Sequence, residues 1–478
     1  MKILFAASEV APFIKTGGLA DVAGSLPQAL AREGHEVTVI LPLYEGIADK
    51  WREEMTFRKN FNVSLAWRQV YCGLFELKRD GVTFWFVDNE YYFKRHQLYG
   101  HFDDCERFAY FSRAVLEATA QLDWAPDVIH CNDWQTALVP VYLLEDKYRI
   151  PQLGNAKTVF TIHNIEYQGR YGDQVLEDVI GLDRSYFNEN MLAQMGDVNL
   201  MKGAILASDF VTTVSPSYAQ ELRTPFYAHG MDGVIQEQSH KVQGIINGID
   251  VDLYNSATMA GIAANFDTEA LDVGKAACKA DLQKTLGLDI DPEVPIIACV
   301  SRLVGHKGFA LVTDVLDKIM EEKVQMVVLG TGDWKFEECF RQAQAKYPGR
   351  FAAQLTYSAP LSNKIYAGAD LFLMPSLSEP CGLSQIIAMR FGTVPIVRET
   401  GGLKDTVFPY NKYTDDGRGF TFTEINAQDM LRVINEAVDL YAGNKEDFKK
   451  LQIAGMTADF SWTNSAKQYL AIYRKIVG

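Results

Sequence analysis

Three stretches of the chain gather the residue types that can hold a phosphate and act on the bond beside it. Lys15-Thr16-Gly17-Gly18-Leu19-Ala20-Asp21 lies between a predicted strand and a predicted helix. Adjacent glycines let a ligand approach the backbone, and the free N–H groups at a helix start favour an anion. Lys15 adds a mobile cation, although an ordinary strand–helix loop with an exposed lysine reads the same way. Ser301-Arg302-Leu303-Val304-Gly305-His306-Lys307-Gly308 follows a second strand and offers Arg302 and Lys307 to a diphosphate. Alone these are two solvated charges; with Lys15 they make an electropositive patch in an acidic protein. Ser378-Glu379-Pro380-Cys381-Gly382-Leu383-Ser384-Gln385 opens a helix after a third strand and is the strongest single signal. Glu379 there is either a helix cap or a functional carboxylate, and the N–H groups of Gly382, Leu383 and Ser384 can cradle a phosphate.

Smaller pieces stand at other strand ends. Asn132-Asp133-Trp134 suits sugar hydroxyls and a sugar face, or equally a capped core tryptophan. Thr161-Ile162-His163-Asn164 ends another strand, where His163 alone reads as a satisfied structural histidine. Tyr357 can stack on a base or simply pack. No G-x-G-x-x-G is present: Gly330-Thr331-Gly332 comes nearest, but Lys335 stands where the third glycine belongs, which weakens a dinucleotide reading.

The elements that position these residues follow from hydrophobic periodicity. Strands are expected at Lys2–Ala7, Glu36–Leu41, Asp127–Cys131, Thr158–His163 and Phe210–Val214, with a helix over Ala20–Arg32. Val70–Leu77 and Val82–Val87 alternate around Arg79-Asp80-Gly81, a turn composition that predicts a hairpin insertion. The series then restarts with Pro295–Val300, Val324–Leu329, Ala353–Thr356, Leu371–Met374 and Val394–Val397. Asn426 is placed to cap a helix whose Met430, Val433, Ile434, Ala437, Val438 and Tyr441 share one stripe. Strands alternating with helices imply parallel sheets covered on both faces. The expected fold is therefore α/β: two Rossmann-like, doubly wound domains facing across a cleft, with ligands at the carboxyl ends of the strands.

Composition narrows the partners. The chain has 478 residues and a formal net charge of −15, which disfavours nucleic acid but not a neutral polymer. Apolar runs such as Val294–Val300 are too short to span a bilayer, and no signal peptide is evident, so neither a membrane nor export is expected. Seven cysteines without a Cys-x-x-Cys pair fit reduced thiols in a cytoplasmic enzyme. Asp250-Val251-Asp252 and Asp289-Ile290-Asp291 match D-x-D, but neither is assigned to a metal.

Taken in order, the Lys15–Val22 motif, Thr161–Asn164 with Tyr167-Gln168-Gly169, Asn247-Gly248-Ile249-Asp250, Ser301-Arg302-Leu303 with Lys307-Gly308, and Ser378–Leu383 resemble the bacterial glycogen synthase and plant starch synthase family. The motifs run from end to end. The resemblance implies the GT-B fold and a metal-independent, retaining transfer of glucose from ADP-glucose to the non-reducing end of an α-1,4-glucan. It implies that Lys15, Gly17, Gly18, Arg302, Lys307, Tyr357, Cys381, Gly382, Leu383 and Ser384 contact the donor. Arg302, Lys307, Lys15, Glu379 and His163 carry the catalytic roles, Tyr357 stacking on adenine. Asp21, Asp133, Trp134, His163 and Asn247 belong to the glucose and acceptor side. Domains are expected at 1–243, 244–455 and 456–478, the last being a helix that returns to the first domain. Many other retaining GT-B transferases carry a second glutamate eight residues after the first; Ile387 stands there, which fits the synthases.

Other readings remain open at this level: a UDP-glucose-dependent transferase, a sugar-nucleotide epimerase, or a glucan-binding protein without catalysis. The last leaves three converging cations and Glu379 unexplained.

Overall fold

The computed structural model describes residues 1–414 and 416–478. Contacts divide the chain into two compact units, Met1–Gly248 with Trp462–Gly478, and Ile249–Ser461. The divisions thus fall after Gly248 and before Trp462, rather than at 243 and 456.

The first unit is built on strands β1 (Lys2–Ala6), β2 (Glu36–Pro42), β3 (Thr56–Leu65), β4 (Arg68–Arg79), β5 (Val82–Asp88), β6 (Val128–Asn132) and β7 (Lys157–Ile162). Short strands β8 (Arg170–Gly172), β9 (Ala193–Gln194) and β10 (Asp197–Asn199) form a separate small sheet, and β11 (Phe210–Thr213) and β12 (Val242–Gly244) complete the large one. Its order is β12-β11-β7-β6-β1-β2-β5-β4-β3. All pairs from β12 to β5 are parallel; β4 and β3 are added antiparallel by hairpins. After Lys2, strand β1 is apolar because it is covered on both faces, with Ile3, Leu4, Phe5 and Ala6 fully buried.

The last helix, Trp462–Val477, belongs to this unit and packs on the helix Gly18–Arg32. Its inner face is tied to the sheet by polar groups. The Tyr473 hydroxyl and His130 Nδ1 are hydrogen-bonded at 2.6 Å, His130 Nε2 and Thr161 Oγ1 at 2.6 Å, and Thr161 and Thr212 hydroxyls at 2.6 Å. Burial pushes the His130 pKa down to about 3, so the imidazole is neutral and each ring nitrogen is used once.

The second unit holds β13 (Ile296–Val300), β14 (Gln325–Leu329), β15 (Phe351–Gln354), β16 (Leu371–Met374), β17 (Val394–Arg398) and β18 (Phe420–Phe422). They form one sheet in the order β15-β14-β13-β16-β17-β18, parallel throughout. Alternation of side chains builds two cores from the same strands. Ile297 and Cys299 join the cluster on one face; Ile296 and Ala298 join the cluster on the other. The helix Ala427–Gly443 begins where Asn426 accepts from the Gln428 and Asp429 amides, and its stripe from Met430 to Tyr441 is buried.

Both sheets reverse the direction in which strands are added at one place: between β1 and β6 in the first, between β13 and β16 in the second. There adjacent strand-end loops splay to opposite faces and leave a crevice, which is where open α/β sheets bind ligands.

Candidate active site

In the first unit the loops after β1 and β6 flank the reversal point. After β1, Val10 and Ile14 close a tight turn, and the chain runs through Lys15, Thr16 and Gly17 into the helix Gly18–Arg32. Lys15 Nζ donates to both carboxylate oxygens of Asp21 at 2.7 Å. The lysine read from sequence as a mobile cation is thus already paired, so an incoming anion competes with Asp21 for it. Glu9, only 3% exposed, accepts from the Thr16 backbone N–H at 2.5 Å and its hydroxyl at 2.6 Å.

After β6, Asp133 takes a left-handed φ of 56°. That turn aims its carboxylate at the neighbouring strand end, where Oδ1 accepts from the His163 backbone N–H at 2.7 Å. Burial raises the Asp133 pKa to about 7. His163 Nε2–H donates to Asn132 Oδ1 at 2.9 Å, while Asn132 Nδ2 donates to the Ala6 carbonyl at 3.0 Å. Because the Asn132 amide is oriented by Ala6, it selects the His163 tautomer and leaves Nδ1 as an acceptor. Burial lowers the His163 pKa to about 3, so this side chain stays neutral and acts through hydrogen bonds, not as a proton donor at neutral pH.

Trp134 is buried on one side against Phe108, with ring centroids 5.2 Å apart, and lines a cavity of about 470 Å³ on the other. Tyr167, Tyr171, Glu166, Arg170 and His229 share that lining. A flat aromatic wall with polar groups around it suits a sugar ring. Asn247 is 5% exposed, and its Oδ1 has no hydrogen-bond partner among the described residues.

In the second unit the loops after β13 and β16 flank the reversal point, and they meet. Lys307 Nζ donates to Glu379 Oε2 at 2.6 Å, and Ser376 Oγ donates to the same oxygen at 3.0 Å. Gly308 makes the approach possible: a β-carbon there would lie 1.9 Å from the Pro375 carbonyl oxygen. Arg302, on the same loop as Lys307, is exposed and makes no ion pair among the described residues. Tyr357, beyond β15, is 85% exposed. Cys381 is buried, Gly382 takes φ of 72°, and Leu383 leads into the helix Ser384–Arg390.

Several supporting residues escaped the sequence reading. Arg398 is 4% exposed; its guanidinium donates to the Ser376 carbonyl at 2.8 Å and the Leu377 carbonyl at 2.5 Å, fixing the strand end that carries Glu379. Gly401 and Gly402 lie against the same loop, a β-carbon on Gly401 falling 2.1 Å from the Glu379 carbonyl oxygen. Adjacent glycines after a strand were a usable signal for that pair. Arg398 and Glu9 carried none, since a charged residue at a strand end normally faces water. The two D-x-D sequences serve local turns: Asp250 Oδ1 accepts from the Asp252 and Leu253 amides, and Asp291 Oδ1 from the Glu293 amide.

Residues 2–237 match the family model described as the starch synthase catalytic domain, and residues 287–451 match glycosyl transferases group 1. Glycogen synthase from Geobacillus thermodenitrificans is 49% identical over 478 residues, covering 100% of this chain and 98% of that one. Glycogen synthase from Clostridium novyi is 46% identical, covering 100% and 99%. Among solved structures, the catalytic domain of starch synthase IV from Arabidopsis thaliana, bound to ADP and acarbose, is 36% identical with a TM-score of 0.91, over 100% and 99% of the two chains. A sucrose-phosphate synthase from Thermosynechococcus elongatus, 18% identical with a TM-score of 0.61 over 99% and 98%, shares the fold. Fold and strand-end groups together define a glycosyltransferase with the GT-B architecture. Matched end to end by its relatives, the chain belongs to the glycogen synthase and starch synthase family.

Proposed function

We propose that the chain is a glycogen (starch) synthase that transfers glucose from ADP-glucose to the non-reducing end of an α-1,4-glucan, with retention of configuration. The observation that carries this reading is identity of 46–49% to proteins named glycogen synthase along the whole chain. ADP bound to the Arabidopsis neighbour supports the choice of nucleotide.

Breaking the glucosyl–phosphate bond builds negative charge on the departing diphosphate and positive charge on the sugar. Arg302 and Lys307 address the first, and pre-oriented cations of this kind are worth ~3 kcal/mol each. Lys307 is held at 2.6 Å from Glu379, so its ammonium needs little reorganisation when charge develops. Glu379 in turn balances the lysine and faces the sugar side, with the Cys381–Leu383 backbone around the glucose and Ser384 by the phosphate. Lys15 and the Gly17–Gly18 backbone approach the same donor, and Tyr357 takes the adenine. Asp21, Asp133, Trp134, His163 and Asn247 serve glucose and acceptor hydroxyls.

Retention by a covalent route needs a carboxylate free to attack the anomeric carbon. Glu379, Asp133, Glu9 and Asp21 each already hold hydrogen-bond or ion-pair partners. This favours a front-side route in which the leaving phosphate accepts the acceptor's proton. Trapping a glucosyl adduct on any carboxylate would overturn it. No metal is required, so turnover is expected to survive a chelator; loss restored by magnesium would refute that.

The deciding experiment measures nucleotide release from ADP-glucose and UDP-glucose with and without glycogen. Release dependent on glycogen and faster with ADP-glucose is expected. Glycogen-independent release would favour an epimerase or hydrolase.

A further inference from the structure

Beyond the Val10–Ile14 turn, residues 15–17 have no regular structure to hold them. What anchors them is Glu9. Its Oε2 receives both the backbone N–H and the hydroxyl of Thr16, and the Gly17 N–H also points to the carboxylate. A β-carbon on Gly17 would sit 3.6 Å from Oε1, so the loop lies directly over the carboxyl group. No lysine or arginine pairs with Glu9 among the described residues; its charge is met by N–H and O–H donors alone. A nearly enclosed carboxylate without a counter-ion is costly to keep.

We propose that Glu9 is the positioning residue of the donor loop: its ionised carboxylate, seated beneath Thr16 and Gly17, holds the segment that presents Lys15 and the Gly17–Gly18 backbone to the sugar nucleotide. This rests on the reading of those groups as donor contacts. Glu9 is 3% exposed and its Oε2 is spent on the loop, so it acts through Thr16 rather than on the substrate. Burial is the main influence raising its pKa, and Asp21, one helical turn into the following helix, adds to it. Asp133 after β6, Tyr44 after β2 and Tyr99 face Glu9 from the other packed segments; burial raises the pKa of each, and the Glu9 charge adds to it. Tyr99 is hydrogen-bonded to Ser8 at 2.7 Å, and Lys15 is spent on Asp21. Acidification reaches Glu9 earlier than an ordinary carboxylate, and its protonation weakens the charge-assisted bonds from the loop and loosens it.

The test compares wild type, Glu9→Gln and Glu9→Ala by donor kinetics between about pH 5 and 8 and by hydrogen exchange of the Thr16 and Gly17 amides. Glu9→Ala is expected to raise the donor KM about tenfold with a smaller change in kcat. It should also lower protection of both amides about tenfold. In wild type, amide protection at Thr16 and Gly17 should fall on acidification and donor KM should rise; in Glu9→Gln the protection should be flat with pH, any pH response left in donor KM belonging to Asp133. Unchanged protection in Glu9→Ala overturns the proposal, as does a hundredfold fall in kcat at constant KM, which would make Glu9 catalytic. Should Glu9→Ala fail to fold, the pH response of Glu9→Gln decides alone. If wild type turns over no sugar nucleotide, the functional reading fails, while exchange at Thr16 still decides whether Glu9 is the tether.

Discussion

Lys307 and Glu379, separated by 72 positions in the chain, form an ion pair at 2.6 Å where the second sheet reverses its order of strands. The pair is mostly shielded, with side-chain exposures of 18% and 9%, so solvent screens it weakly. Lys307→Ala should lower kcat with ADP-glucose about 10²- to 10³-fold in a protein that still folds, its melting temperature lowered because Glu379 keeps only Ser376 as a partner. Lys307→Arg should recover only part of the loss, because a planar guanidinium cannot occupy the position of a compact ammonium. Steady-state kinetics with a thermal melt of each variant checks both.

Gly401 is the second lever on Glu379. Its φ of 45° and the 2.1 Å approach of a built β-carbon to the Glu379 carbonyl leave no room for alanine. Gly401→Ala should destabilise the protein by about 2 kcal/mol and reduce kcat at least about tenfold by displacing the loop. Denaturant unfolding beside turnover measures the two effects separately.

Asp133 sets a pH dependence of stability. Its folded pKa of about 7 lies above the ordinary carboxylate value, because burial disfavours the charge. Between those two values the folded state binds more protons than the unfolded one, so this contribution is fully present in acid and is lost as pH rises toward 7. Asp133→Asn removes the dependence and tolerates the positive φ. From about pH 5 to 8, wild type should lose about 2 kcal/mol relative to Asp133→Asn. A constant difference in unfolding free energy across that range would refute the assignment.

Tyr473 joins the last helix to the sheet through His130. Tyr473→Phe leaves His130 Nδ1 buried without its partner and should cost about 1–3 kcal/mol in unfolding free energy. Adding His130→Phe to it should recover part of that loss, since it removes the orphaned ring nitrogen while the Thr161 hydroxyl, losing His130, keeps Thr212. A double-mutant cycle reads the coupling.

The alternation of apolar strands and amphipathic helices was legible in the sequence because strands of a doubly covered sheet must be apolar on both faces. The restart of that alternation near Pro295 was legible for the same reason. So was the order of the loop motifs, since glycines and charges placed directly after buried strands stand out from their surroundings. Strand β3 was not: its first five residues are exposed at the sheet edge, and only Phe61, Val63 and Leu65 at its end alternate with polar neighbours. Strands β8, β9 and β10 are too short to show a period. Only the tertiary structure decided which strands are neighbours. That adjacency brings Lys307 to Glu379 and buries Arg398 among carbonyls. These depend on sheet order and enclosure, quantities that arise from contacts between distant segments and leave no local mark in the chain.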